Sequence, residues 1–168
     1  MDTLDLLCVI HSIPCLNKII KNVVPIDFLP AKIEDFPCSY IFNQDKSSLP
    51  GSHWLYLYFK NKEEVIFFDS LGNSPEYYKL DKYLENMKCT YNSVRVQSKT
   101  SNFCGYFCLY VAYMLSHDSS SFACIIKGFD KDQNVNDYIV HDYIVTLNIN
   151  MCREDMHTNC YQSCRCIF

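Results

Sequence analysis

The chain has 168 residues, 49% of them hydrophobic and 15% aromatic, with only 4 Gly and 6 Pro. That is the composition of a single globular domain able to bury a core, and it excludes a disordered or fibrous chain. A formal net charge of −4 argues against a protein whose main task is neutralising phosphates, and no apolar run approaches the roughly 20 residues that span a bilayer. The first residues are acidic and carry no basic n-region, so the chain is expected to be soluble and intracellular. In that setting its 11 cysteines read as thiols rather than as a disulfide framework.

Along the chain, residues 3–11 (TLDLLCVIH) predict a short first helix, with Asp2 or Thr3 available to cap its amides. Prolines at 14, 25, 30 and 37 then suggest a loop-rich stretch up to a strand at 38–42 that ends at Asn43. HWLYLYF (53–59) is apolar on both faces, as in a central strand covered on both sides. VIFFD (65–69) returns antiparallel to it after a polar turn.

Residues 76–88 place Tyr77, Leu80, Tyr83, Leu84 and Met87 at helical spacing, and 90–97 reads as a further strand. FCGYFCLYVAYMLS (103–116) is apolar nearly all round, which describes a helix buried in the middle of the fold. Residues 137–149 form a last helix, although their β-branched content also suits a strand. The order predicts an α+β fold: a small mixed central sheet flanked by helices, in one domain over 1–150, followed by a cysteine-rich tail over 151–168.

Cys104 stands at the start of the buried helix, where the helix dipole lowers a thiol's pKa. Gly105 beside it leaves room for a substrate backbone. Alone this is a weak clue, because a cysteine in such a helix is more often a small hydrophobe, and Cys108 one turn on is expected to be only that. The partners strengthen it. His53 begins the central strand and Asp69 ends its antiparallel neighbour, so topology puts them at the same sheet edge. A cysteine nucleophile needs such a base, and a third group to orient it. Gln97, just upstream of the cysteine, could meet the negative charge that develops on a substrate carbonyl.

The order His53-Trp54, Phe68-Asp69-Ser70-Leu71-Gly72, Gln97-Ser98 and Ser101-x-x-Cys104-Gly105-x-Phe107-Cys108 resembles the adenovirus-type cysteine endopeptidases. Relatives of that family are carried by self-synthesising DNA transposons and adenovirus-like elements, and the wider group includes the proteases of ubiquitin-like proteins. The likeness extends to residues 21–30 (KNVVPIDFLP), to Asn43-x-Asp45 with Gly51-x-His53-Trp54, and to Asn136-Asp137-x-x-Val140. It implies a papain-like superfold in permuted order, with the nucleophile heading the central helix. Cys104 would be the nucleophile, His53 the base and acid, Asp69 the orienting acid and Gln97 an oxyanion donor. Trp54 would shield the imidazole.

The implied substrate is a polypeptide cut after small residues of the Gly-Gly or Gly-Ala type. Ubiquitin-like-protein proteases usually place Asp before the nucleophile; Phe103 stands there, so maturation of virion-type precursors, in a host nucleus or virion, is favoured over a ubiquitin-like substrate. A binding module that kept the fold without the chemistry is the reading of another class.

No cofactor is expected. The activating peptide and DNA of the adenovirus enzyme are not carried over, since the charge does not favour nucleic acid and no motif assigns a peptide-binding cysteine. The tail cysteines 152, 160, 164 and 166, with His157, lack the paired hooks of structural zinc sites, so no metal is expected either. The last residues resemble a prenylation signal but carry Arg165 where the modified Cys is required.

Overall fold

The computed structural model describes residues 1–117 and 121–156. Five strands form one sheet in the order β1 (Ile20–Pro25), β2 (Cys38–Asn43), β3 (Trp54–Phe59), β4 (Glu64–Phe68) and β5 (Lys88–Tyr91). The inner pairs β2–β3 and β3–β4 are antiparallel, whereas the outer pairs β1–β2 and β4–β5 are parallel. Helices α1 (Thr3–Ser12), α2 (Pro14–Ile19), α3 (Cys104–His117), α4 (Phe122–Gly128) and α5 (Gln133–Met156) complete the α+β architecture expected from the sequence.

The two faces of the sheet bury different partners. Along β3 the side chains alternate, Trp54 and Tyr56 facing the helices and Leu55, Leu57 and Phe59 facing the opposite side. The helix side gathers Leu6, Val9, Ile41, Phe68, Phe107, Leu109, Val111 and Val140. On the other side Phe42, Phe67, Leu80 and Leu84 pack with partly buried Leu29, Ile33 and Phe36. Among the described residues no α-helix packs on that face; its roof is turns and irregular chain. β3 is therefore covered on both sides, as its doubly apolar sequence requires.

Asp2 caps α1 in a reciprocal box: its carboxylate accepts from the Leu4 and Asp5 amides at 2.8 and 3.0 Å, while Asp5 accepts from the Asp2 amide at 2.8 Å.

Four expectations need correction. The stretch expected to be loop-rich contains α2 and β1, because Pro14 occupies the first turn of α2, where no amide is needed. Pro25 closes β1, an edge strand whose missing amide costs no ladder bond on its open side. Residues 76–88 are not a helix. A 3₁₀ turn at Pro75–Tyr78 ends at Lys79, whose φ of +59° breaks helical continuation, and Leu80 and Leu84 reach the core from turns.

The strand expected over 90–97 is confined to β5, and residues 92–97 leave the sheet to hydrogen-bond with the Asp69–Ser70 turn. Finally, the last helix, expected over 137–149, runs from Gln133 to Met156 as α5. His157 and Cys160, Cys164 and Cys166 lie outside the described residues. No helix among the described residues is long and apolar enough to cross a membrane.

Candidate active site

His53 immediately precedes β3 and Asp69 immediately follows β4. The antiparallel register, with Tyr56 opposite Phe68, brings the two side chains together at one sheet edge. His53 Nε2 lies 2.6 Å from Asp69 Oδ1.

The approach to His53 is fixed by local polar pins. Asn43 Oδ1 accepts from the Asp45 and Ser52 amides at 3.0 and 3.2 Å. Ser52 Oγ donates to Asp45 Oδ2 and accepts from Gln44 Nε2, both at 2.6 Å. Gly51, at φ +84°, passes so close that a Cβ would meet Asn43 Nδ2 at 2.8 Å. The Asn-x-Asp and Gly-x-His pattern thus acquires a physical meaning: it holds the loop that delivers the imidazole.

Asp69 is wholly buried and saturated with donors. Besides His53, its Oδ1 accepts from the Leu71 amide at 2.9 Å. Its Oδ2 accepts from the Asn73 amide at 2.9 Å, Asn73 Nδ2 at 2.8 Å and the Tyr78 hydroxyl at 2.8 Å. Asn92 brackets its backbone, accepting from the Asp69 amide at 3.2 Å and donating to its carbonyl at 2.6 Å. Burial alone would raise the Asp69 pKa; the hydrogen bond and charge of His53 and the Leu71 and Asn73 amides outweigh it and hold the carboxyl below its ordinary value.

Cys104 is the first residue of α3, 8% exposed. Burial would raise its thiol pKa, but a hydrogen bond from His53, the Trp54 and Gly105 amides and the charge on the imidazole bring it below the ordinary thiol value. Conversely, burial depresses the His53 pKa, and the bonds and charges of Asp69 and Cys104 more than reverse this, pushing it up to about 9. With Nε2 engaged by Asp69, Nδ1 is the ring nitrogen left for sulfur. The arrangement favours a thiolate–imidazolium pair held by a buried carboxylate. Cys108, one turn along, is wholly buried, and burial raises its thiol well above the ordinary value.

Gln97 is buried beside this group and lines the same cleft as His53, Trp54 and Cys104, a cavity of about 860 Å³. Its amide nitrogen donates to the Ser101 carbonyl at 2.8 Å and to Ser101 Oγ at 3.2 Å, while Ser70 Oγ donates to its Oε1 at 2.6 Å. Trp54 lines the cleft and donates from Nε1 to the Met1 carbonyl at 3.0 Å. On the side a Cβ would occupy, Gly105 faces the N-terminal segment, with Met1 Sδ at 3.2 Å and Leu6 Cδ2 at 3.3 Å.

Sequence reasoning missed several supports of this site. Asn73, Tyr78 and Asn92 fix Asp69, and no periodicity marks such residues. Asn136 Nδ2 donates to the Val96 and Asp130 carbonyls, both at 3.0 Å, and Asp137 Oδ1 accepts from the Ser98 amide at 3.3 Å. The Asn-Asp pair of α5 therefore pins the loop that carries Gln97. The spacing that flagged this pair pointed to a motif without indicating what it held. Among the described residues, no group of three or more His, Cys, Asp or Glu is placed to hold a metal ion.

No family model and no curated protein matches the chain. Among solved structures, it is similar to a protease of ASFV, with 21% identity and a TM-score of 0.39 over 62% of this chain and 44% of that one. The chain thus spans less than half the length of that protease. It is also similar to the central domain of an uncharacterized Legionella pneumophila protein, with 16% identity and a TM-score of 0.48 over 88% of this chain and 98% of that domain. At TM-scores below 0.5 neither likeness adds to the geometry described above.

Proposed function

We propose that the chain is a cysteine endopeptidase. The observation that carries this reading is the buried His53–Asp69 pair, joined at 2.6 Å, with its imidazole lining the same cleft as the Cys104 thiol at the head of α3. In the reaction the Cys104 thiolate attacks the carbonyl carbon of the scissile peptide, forming a C–S bond and an oxyanion. The imidazolium of His53 gives its proton to the departing amine as the C–N bond breaks, leaving a thioester. Water, deprotonated by His53, then attacks the thioester, and the C–S bond breaks to return the thiolate and release a carboxylic acid. Asp69 holds the ring in orientation and stabilises its positive form. The amides at the head of α3 and the Gln97 amide, which lines the same cleft, are the proposed donors to the oxyanion.

The family resemblance in the sequence adds the finer reading: a polypeptide cut after small residues, in virion-type precursors. Phe103 before the nucleophile favours this over a ubiquitin-like substrate. Incubation with a peptide library tests the proposal, comparing wild type with Cys104→Ala and His53→Ala. Cleavage by wild type alone is the expected result. A Cys104→Ala protein that cleaves as well as wild type would overturn it. Iodoacetamide labelling separates the non-catalytic alternative, in which Cys104 would react no faster than the other thiols.

A further inference from the structure

The orientation of the Gln97 amide follows from chemistry as well as distance. The Ser101 carbonyl, 2.8 Å from one end of the amide, is an acceptor only, so that end must be the NH₂ group. The opposite end is then Oε1, and the Ser70 hydroxyl 2.6 Å away must be the donor. Ser70 is wholly buried, and its own carbonyl accepts from the Val96 and Gln97 amides at 2.9 and 3.1 Å. Side chain and main chain of one residue thus grip Gln97 at both its oxygen and its backbone nitrogen. Ser70 is also the residue after Asp69, so the same turn orients the imidazole's partner and the Gln97 amide.

We infer that Ser70 is a positioning residue that acts through Gln97, locking its Oε1 away from the cleft so that only N–H groups face a developing oxyanion. The inference rests on the protease reading of the site. The Gln97 amide nitrogen donates to two acceptors on Ser101, and the bond to Ser101 Oγ, at 3.2 Å, is the longer. That is the bond to be exchanged for one to the oxyanion as the tetrahedral intermediate forms. Without the Ser70 hydroxyl the amide loses the contact that distinguishes its two ends. An inverted amide would aim an oxygen lone pair at negative charge.

The test is a double-mutant cycle on acylation of Cys104 by p-nitrophenyl acetate, an activated ester that needs no peptide recognition. Each rate is corrected with the same variant carrying Cys104→Ala, so that other thiols drop out. Ser70→Ala is expected to slow acylation about tenfold, and Gln97→Ala about a hundredfold. In the Gln97→Ala background the Ser70 change should cost less than about twofold, because its effect passes through the missing amide. An equal loss in both backgrounds, or no loss from Ser70→Ala, overturns the inference while leaving the protease reading intact. If wild type is acylated no faster than Cys104→Ala, the protease reading itself falls, and this inference with it. Should Ser70→Ala fail to fold, Ser70→Cys carries the same cycle, keeping the shape with a weaker donor and giving an intermediate loss.

Discussion

On one side of the cleft, α3 is gripped by apolar side chains: Phe107, Cys108, Leu109, Val111 and Ala112 are wholly buried against the sheet and its neighbouring helices. On the other side, the loops carrying His53, Asp69 and Gln97 are held by Asn43, Asn73, Asn92, Asn136 and Ser70, each through hydrogen bonds to backbone or to a neighbouring side chain. Apolar packing sets a helix in place without specifying a hydrogen-bonding direction. Polar pins do specify direction, and a base that must meet sulfur on one nitrogen and carboxylate on the other needs that. The difference predicts that damage to the two walls will be read out in different measurements.

The largest effect is expected at the polar wall. Asp69→Asn should lower kcat/KM about 10³-fold, since the neutral amide neither stabilises the imidazolium nor favours the required tautomer. The pH profile provides a second reading. His53 is pushed up to about 9, so the wild-type profile should fall as pH rises through that value and the imidazolium is lost. In Asp69→Asn that limb should move toward the ordinary histidine value of 6.5, because the carboxylate's charge and charge-assisted bond are gone. A limb that stays near pH 9 would show that Asp69 does not set the charge of the ring.

The apolar wall should behave differently. Phe107 is wholly buried, with its ring 5.7 Å from that of Phe129. Phe107→Ala should cost about 3–5 kcal/mol of unfolding free energy, measured by urea titration. Corrected for the folded fraction, its kcat/KM should stay within about threefold of wild type. A much larger loss in kcat/KM would mean that core packing and site geometry are coupled more tightly than the two-wall comparison holds.

The same contrast governs what could be read from the sequence. Period-two and near-continuous apolar runs are produced by burial, so β3, β4 and α3 were visible, and with them the edge where His53 and Asp69 meet. Amphipathic spacing misled at 76–88, because Leu80 and Leu84 need only reach the core, and turns deliver them as well as a helix would. Tyr78, Asn92 and Asn136 were invisible as supports for another reason. Each acts through one hydrogen bond or a few set by tertiary position, and nothing in its neighbours' hydrophobicity records that.

The smallest effect expected is at Tyr78, whose hydroxyl is one of several donors to Asp69. Tyr78→Phe removes that bond and should cost about 1 kcal/mol near neutral pH. Simple packing could produce a loss of that size, so its pH dependence is the deciding quantity. Asp69 has a folded pKa below its ordinary value of 3.8, so its ionisation contributes stability that is present above that value and lost as pH falls through the folded one. Removing a donor to the carboxylate raises the folded pKa and shrinks that contribution. The stability gap between wild type and Tyr78→Phe should therefore be widest near pH 6 and narrow as pH falls through the two folded values, the wild type's lying below 3.8. Urea titrations at pH 6 and at successive steps below pH 3.8, down to loss of the Asp69 charge, measure it, with the other acidic groups cancelling between the two proteins. A gap unchanged by pH would reduce Tyr78 to a packing residue and leave the orientation of Asp69 to Asn73 and the Leu71 amide.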